Sequence, residues 1–237
     1  MRKTRLLIFL FILTAAFICL RQSGPVSPPV TPPGDPSFQT TPPGISNQLV
    51  VETIVLAHDE DGDGILDLAD IVQGARDYVN TRPKYKSAYY SGGYPPAEEG
   101  VCTDVIWQAF KAAGYDLKGM VDEDIRKNLR SYPRVNGRPD PNIDFRRVKN
   151  LNVFFQRHAT VLTTEVKPGD PENLKEWQPG DIVVFGTPVD HIAIVSDRRR
   201  PDGVPLLLHN AGPHATEADC LLSWSSPIIG HYRFPRL

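Results

Sequence analysis

The spacing of apolar residues changes once along this chain, and that change limits what the chain can fold into. Between residues 68 and 158 apolar residues recur at helical spacing, whereas residues 177–234 carry short apolar runs separated by turns. The predicted helices cover residues 68–79, 102–114, 117–129 and 151–158. Four strands are predicted. One ends at Phe185, and the other three cover residues 191–196, 204–210 and 230–234. Helices followed by a strand meander predict an α+β domain with helices packed on an antiparallel sheet.

The first residues of the chain predict export from the cytoplasm. A basic start with Arg2, Lys3 and Arg5 precedes an apolar run that ends at Leu20. This pattern is typical of a signal peptide or signal anchor over residues 1–20. The positive charge before the apolar run predicts an extracytoplasmic location, in the periplasm or at the cell surface. Membrane contact is then expected only through this segment, if it stays uncleaved.

Residues 21–46 consist mostly of Pro, Ser, Thr and Gly. Such a segment cannot bury enough apolar surface to fold, so we expect a disordered, Pro-rich linker. The folded part is predicted to follow it, as a lead-in over residues 47–70 and a main domain over residues 71–237.

Charge and cysteine content exclude some classes of function. The formal net charge is −2 and the basic residues do not form one long run, so nucleic acid is not an expected partner. The three cysteines, at positions 19, 102 and 220, are too few for a disulfide scaffold and contain no CxxC pair for zinc. Cys220 is predicted to be buried in a helix, with a disulfide to Cys102 as the alternative. A monomer is expected.

An acidic loop over residues 59–70 has the composition of a calcium-binding loop. Gly64 occupies the sixth position, where the loop must turn sharply. The predicted oxygen ligands, at positions 1, 3, 5, 9 and 12, are Asp59, Asp61, Asp63, Asp67 and Asp70. The loop resembles those of dockerins and other EF-hand-like modules, with Asp instead of Glu at position 12. A structural Ca²⁺ is one reading; a solvated acidic turn that caps the next helix is the other.

The strongest candidate for chemistry is Cys102, at the start of a predicted helix. The N–H groups and the dipole of a helix N-terminus favour a thiolate, although free cysteines are usually just buried. A base is available in His191, the first residue of a predicted strand. On the next strand, either His209 or Asn210 can reach that imidazole, but not both, because side chains alternate. A nucleophile, a base and an orienting group are the parts of an activated thiol.

These residues resemble the papain-like, NlpC-type cysteine peptidases and amidases of bacterial cell walls. The similar segments are Tyr90 with Gly92-Gly93, Pro179-Gly180-Asp181, His191-Ile-Ala-Ile-Val and Leu208-His209. Four further segments are similar to a bacterial family of unknown function within that superfamily, the DUF1287 type. They are Gly100-Val-Cys-Thr-Asp104, Pro141-Asn-Ile-Asp-Phe-Arg-Arg-Val148, His209-Asn210 and Gly230-His-Tyr-Arg233. The resemblance covers residues 70–237. The chain departs from the family pattern at Phe145 and Lys149.

The resemblance implies a papain-like catalytic domain over residues 71–237. Cys102 would be the nucleophile, His191 the general base and then acid, and His209 the orienting residue. Tyr90 would lie near the oxyanion, and Asp104 and Asn210 are supporting or alternative residues. Separately, Asp144, Arg146 and Arg147 are candidates for binding a charged peptide, with a structural ion-pair loop as the alternative.

The expected function is an exported bacterial cysteine hydrolase, an amidase or endopeptidase. Its expected partner is peptidoglycan, through the stem peptides, or another cell-envelope peptide, and no cofactor is needed for catalysis. Two alternatives remain open on the sequence. One is a non-catalytic envelope-binding module with a degenerate papain-like domain, and the other is an acyl or peptidyl transferase that forms the same thioester.

Overall fold

The computed structural model describes residues 48–236, which lie within one compact unit. The predicted signal segment (residues 1–20) and the predicted linker (residues 21–46) lie outside the described residues. Over residues 48–236, no helix is both long enough and apolar enough to cross a membrane.

Helices dominate the first half of the described chain. The helices are α1 (Asp67–Asn80), α2 (Cys102–Ala112), α3 (Leu117–Lys127), α4 (Val148–His158) and the short α5 (Pro171–Leu174). Four of them match the predicted helices to within three residues at either end, because each buries an apolar stripe at helical spacing. In α2 that stripe includes Val105, Ile106 and Ala109, which are fully buried. Helix α2 packs against α1 and against the middle of the sheet.

A six-stranded antiparallel sheet forms most of the second half. Its strands are β3 (Thr160–Val161), β4 (Ile182–Phe185), β5 (His191–Arg199), β6 (Pro205–Asn210), β7 (Ala215–Ala218) and β8 (Ile228–Arg233), in the order β3-β8-β4-β5-β6-β7. A separate parallel pair, β1 (Lys84–Tyr85) and β2 (Glu99–Gly100), lies just before α2. Strands β3 and β7 are absent from the sequence prediction.

The central strands of the sheet are buried on both faces. Ile192 and Ile194 of β5 face the helices, in the same apolar cluster as Cys102. The alternate residues Ala193 and Val195 belong to a second cluster that contains Trp177. Burial on both faces explains why residues 192–195 of β5 are a continuous apolar run without polar alternation.

The lead-in packs on the domain that follows it. Gln178 accepts a hydrogen bond from Ile54 N at 3.0 Å and donates one to Glu52 O at 2.8 Å. Leu49 N donates to Pro201 O at 2.8 Å. From residue 48 onward the lead-in therefore belongs to the same compact unit as the main domain.

Candidate functional site

Cys102 is the first residue of α2 and is 8% exposed. Burial raises the pKa of its thiol to about 12 and outweighs three N–H groups that favour the thiolate, those of Ile192, Thr103 and Cys102 itself. The resting side chain is therefore a neutral thiol. This differs from the thiolate expected at a helix start, because desolvation of the charged form is the larger effect.

Asp104 and Arg146 hold the start of this helix in place. Asp104 Oδ2 accepts a hydrogen bond from Val101 N at 2.7 Å. Arg146 Nε and Nη2 bind the two oxygens of the same carboxylate at 2.7 Å and 2.8 Å, and both side chains are buried. Trp107 Nε1 donates to Asp104 Oδ1 at 2.9 Å. The predicted substrate-binding role of Arg146 is therefore wrong, since its guanidinium is buried in an ion pair.

The loop around Asp144 is also structural. Asp144 is 1% exposed and accepts hydrogen bonds from Arg147 Nη1 at 2.8 Å and from Asp140 N at 2.7 Å. A buried carboxylate with these partners is not free to bind a charged peptide. For Asp144, the ion-pair alternative describes the structure. Arg147 forms the other half of that pair, but its side chain is partly exposed, so its substrate contact stays a prediction.

The two histidines of the predicted site are in direct contact. His191 Nε2 and His209 Nδ1 lie 2.9 Å apart, and the two residues are 3% and 4% exposed. Asn210 points elsewhere, because its Nδ2 donates to Pro83 O at 3.3 Å and to Gly100 O at 3.2 Å. Of the two alternatives on β6, His209 is the residue that reaches His191.

Burial keeps both imidazoles neutral. It lowers the pKa of His191 to about 3, with a smaller contribution from His209, and lowers that of His209 to about 4. Because Nε2 of His191 is engaged by His209, its Nδ1 is the ring atom left for a proton from a thiol.

The main chain next to His191 lies near the thiol. The backbone N–H of the following residue, Ile192, is close enough to Cys102 to lower the pKa of its thiol. Among the hydrogen bonds of residues 48–236, none joins the side chains of Cys102 and His191. The His191 side chain stacks on Trp224, which packs against the second apolar cluster, so it leaves β5 on the face opposite to Ile192 and Cys102. A direct contact between the thiol and the imidazole therefore requires both side chains to rotate.

The structure separates the tyrosines that precede Cys102. Tyr90 donates its hydroxyl hydrogen to Glu99 Oε2 at 2.7 Å, and its ring packs on the Arg146 guanidinium at 5.1 Å. The pKa of Tyr85 is raised by burial and, to a smaller extent, by the proximity of Cys102. Tyr85 is therefore close to the thiol, whereas Tyr90, the residue chosen from the sequence, supports Arg146.

The segment between β7 and β8 adds two side chains that the sequence analysis missed. Trp224 stacks on His191, with ring centroids 4.1 Å apart and planes 17° apart. Cys220 Sγ lies 3.6 Å from His209 Nε2. Cys220 is half-buried and outside any helix, and both described cysteines are free, so its predicted helical position is wrong and the disulfide alternative does not form. No motif marks either residue.

A small pocket of about 220 Å³ lies between the start of α4 and the ends of β4 and β8. Its walls include Phe185, Gly186 and Asp190, the residue before His191, but neither histidine of the pair. Lys149 Nζ lies 3.4 Å from Asp190 Oδ2 at this pocket. One cation and one carboxylate, paired with each other, therefore line this open space.

The acidic loop brings three of its five predicted ligands together. Asp59, Asp61 and Asp63 each have an oxygen within 4.8 Å of the others. Gly64 makes the sharp turn with a φ of +92°. Asp67 does not join them, because its carboxylate accepts hydrogen bonds from Tyr115 Oη and Glu60 N and contacts His58 Nδ1. Its predicted role as a ligand is therefore wrong.

The fifth predicted ligand, Asp70, is 9% exposed, and its carboxylate oxygens keep access to solvent. Burial and the nearby Asp63, Asp61, Asp67 and Asp59 raise its pKa. The Asp70 carboxylate therefore lies in a strongly negative environment, which a cation would relieve.

The described part of the chain is thus an α+β domain with a buried thiol at the start of α2 and a pair of buried, neutral histidines on strands β5 and β6. Residues 72–234 match the family described as Domain of unknown function (DUF1287), and the chain belongs to that family. This confirms the predicted family. The chain is 41% identical over 172 residues to a protein of Escherichia coli (strain K12) described as "Uncharacterized protein YijF", which covers 69% of this chain and 80% of that protein. No solved structure shows a significant match.

Proposed function

We propose that this protein is an exported bacterial cysteine hydrolase of the papain-like, NlpC-type superfamily, an amidase or endopeptidase. The observation that carries the proposal is the 2.9 Å contact of His191 with His209, on strands that flank the helix starting at Cys102. Nucleophile, base and orienting residue come from three separate elements of one compact unit. This arrangement has the parts of an activated thiol.

The proposed reaction begins with a neutral thiol and a neutral imidazole. As Cys102 Sγ attacks the carbonyl carbon of the substrate, its proton moves to His191 Nδ1. The N–H groups of Cys102 and Thr103 at the start of α2 would stabilise the oxyanion, whereas those of Val101 and Asp104 already donate to Asp104 Oδ2 and Val101 O. The leaving amine takes the proton from His191 and a thioester remains. Water then attacks the thioester as it loses a proton to His191. The C–S bond breaks, the acid is released, and the proton on His191 passes to the sulfur, which restores the free thiol.

The proposed substrate is a peptide bond in a peptidoglycan stem or another cell-envelope peptide. Two lines of argument support it: the expected export of the chain and the resemblance to cell-wall enzymes. The pocket lined by Asp190 adds a local reason, because Lys149 and Asp190 offer one charge of each sign to a short peptide with charged ends.

The test is to incubate the full-length protein with a mixture of muropeptides. Wild-type protein is expected to cleave them and to carry an acyl adduct on Cys102, detected by intact mass and peptide mapping. Cys102→Ala is expected to do neither while keeping the wild-type circular dichroism spectrum. Equal cleavage of the muropeptides by Cys102→Ala and by the wild type would contradict the proposal.

One observation favours the alternative of a non-catalytic envelope-binding module. Cys102 is almost fully buried and its pKa is raised, as for an inert structural thiol. The two functions differ in how Cys102 reacts with a small alkylating reagent. In a hydrolase, His191→Ala slows the alkylation of Cys102; in a binding module, that substitution leaves the rate unchanged.

We also propose that the acidic loop holds a structural Ca²⁺, with Asp59, Asp61 and Asp63 as ligands and Asp70 completing the site. Saturating Ca²⁺, at about 100 times its Kd, would stabilise the fold by about 2.7 kcal/mol and raise Tm by about 5–10 °C. The measurement is thermal unfolding of the full-length protein in EDTA, CaCl₂ and MgCl₂.

The control for the calcium experiment is Asp77→Asn, which removes an exposed carboxylate from α1 outside the loop. It should respond to Ca²⁺ like the wild type, whereas Asp61→Asn and Asp63→Asn should lose most of the shift. If Tm is the same in EDTA and in CaCl₂, the loop is only an acidic cap.

A further inference from the structure

One short segment of the chain contacts both histidines of the site. Between β7 and β8, Cys220 and Trp224 lie one turn apart, and Trp224 N donates to Cys220 O at 3.1 Å. Trp224 covers the face of His191, and Cys220 Sγ lies 3.6 Å from His209 Nε2. Trp224 Nε1 in turn donates to Val189 O at 3.3 Å, two residues before His191. The segment therefore touches the histidine pair on the side away from their mutual contact.

The contacts form a chain in which each proton position determines the next. His191 can accept a proton on Nδ1 only if its single proton sits on Nε2. That Nε2–H must then donate to His209 Nδ1, which leaves the proton of neutral His209 on Nε2. A group that accepts from His209 Nε2 favours this arrangement. Among the hydrogen bonds of the described chain, the partner of that nitrogen is Cys220 Sγ.

We propose that Cys220 is a positioning residue: its sulfur accepts the Nε2–H of His209, and this keeps Nδ1 of His191 free to take the proton of Cys102. The inference rests on the proposed hydrolase function. Cys220 does not touch the reacting atoms, and it acts through the tautomer of His209. In the opposite arrangement the thiol of Cys220 donates to His209, both rings carry their proton on Nδ1, and His191 cannot serve as a base.

The surroundings of Cys220 suit this role. Burial raises the pKa of the Cys220 thiol to about 11, with a smaller contribution from Asp219, so a full negative charge does not form there at neutral pH. A neutral sulfur is a weak acceptor. Because the two imidazoles are buried, water does not easily replace this sulfur as the partner of His209. A weak acceptor at this position favours the Nε2–H tautomer of His209 without stabilising a second proton on either imidazole.

The test has two readouts that need no substrate. The first is the ¹⁵N NMR spectrum of histidine-labelled full-length protein, with His191 and His209 assigned from single substitutions. In wild-type protein both rings are expected to carry their proton on Nε2. In Cys220→Ala, His209 is expected to gain a population protonated on Nδ1.

The second readout is the rate at which a small alkylating reagent modifies Cys102, followed by peptide mass mapping so that Cys220 does not interfere. Loss of one neutral hydrogen bond predicts an about threefold to tenfold slower reaction in Cys220→Ala. Cys220→Ser keeps an acceptor and should restore most of the rate. Leu222→Ala, an exposed change in the same segment, is the matched control and should react like the wild type.

The results separate failure of the inference from failure of the proposed function. If His209 in wild-type protein carries its proton on Nδ1, or if Cys220→Ala changes neither the tautomer nor the alkylation rate, the role of Cys220 is overturned. If His191→Ala leaves the alkylation of Cys102 unchanged, the hydrolase function itself fails. If Cys220→Ala does not fold, the ¹⁵N spectrum of the wild-type protein alone decides the role of Cys220, because it shows which nitrogen of His209 carries the proton.

Discussion

Replacing His191 by alanine is expected to lower kcat/KM for muropeptide cleavage by about 10²–10⁴-fold, the usual contribution of a general base. The reason lies in the burial of Cys102. With a thiol pKa of about 12, only a minute fraction of thiolate exists at neutral pH. The thiol therefore depends on a neighbouring neutral imidazole to remove its proton during attack. The measurement is chromatographic separation of muropeptides under subsaturating substrate.

His158→Gln is the matched control for this experiment. His158 lies at the end of α4, is partly exposed and pairs with Asp124 on another side of the domain. It should keep wild-type activity. His209→Ala should fall between the two, because His209 affects the thiol only through His191. Wild-type cleavage by His191→Ala would remove this histidine from the mechanism.

The second large effect concerns stability. Arg146→Met is expected to lower the free energy of unfolding by about 3–5 kcal/mol, because it leaves the Asp104 carboxylate buried without its countercharge. That carboxylate also holds Val101 N and Trp107 Nε1, so its displacement would loosen the start of α2. The measurement is urea unfolding of the full-length protein followed by circular dichroism.

Arg126→Met is the control for this second prediction. Arg126 of α3 carries the same charge and pairs with Glu123, and both side chains are exposed. An exposed pair is worth at most about 1 kcal/mol, so little stability should be lost. The double variant Asp104→Asn/Arg146→Met should recover part of the loss of Arg146→Met. Equal small losses in Arg146→Met and Arg126→Met would contradict the assigned role of the buried pair.

Much of the helical part of the fold follows from the sequence. The predicted helix over residues 68–79 corresponds to Asp67–Asn80, and the helix predicted from residue 102 begins at Cys102. These elements are local, because one apolar stripe per helix suffices to specify them. The predicted helix over residues 151–158 begins three residues earlier, at Val148.

Strand β7 cannot be predicted from its own residues. Residues Ala215–Ala218 have no apolar alternation and are followed by Asp219 and Cys220, so the stretch resembles a helix. It is extended because it pairs with β6, with Leu207 opposite Ala218 and Asn210 opposite Ala215. Such pairing depends on residues of another strand, and helix or strand preference cannot predict it.

The same division holds at the candidate site. The sequence by itself determined the family and singled out Cys102, His191 and His209, because motif and period place a thiol at a helix start and histidines on strands. Tertiary structure decided between His209 and Asn210, since strand register and side-chain reach select the partner. It also buried Arg146 against Asp104 and brought Trp224 and Cys220 onto the histidines. Those contacts join segments far apart in the chain, so burial and long-range packing, which no local pattern records, determined them.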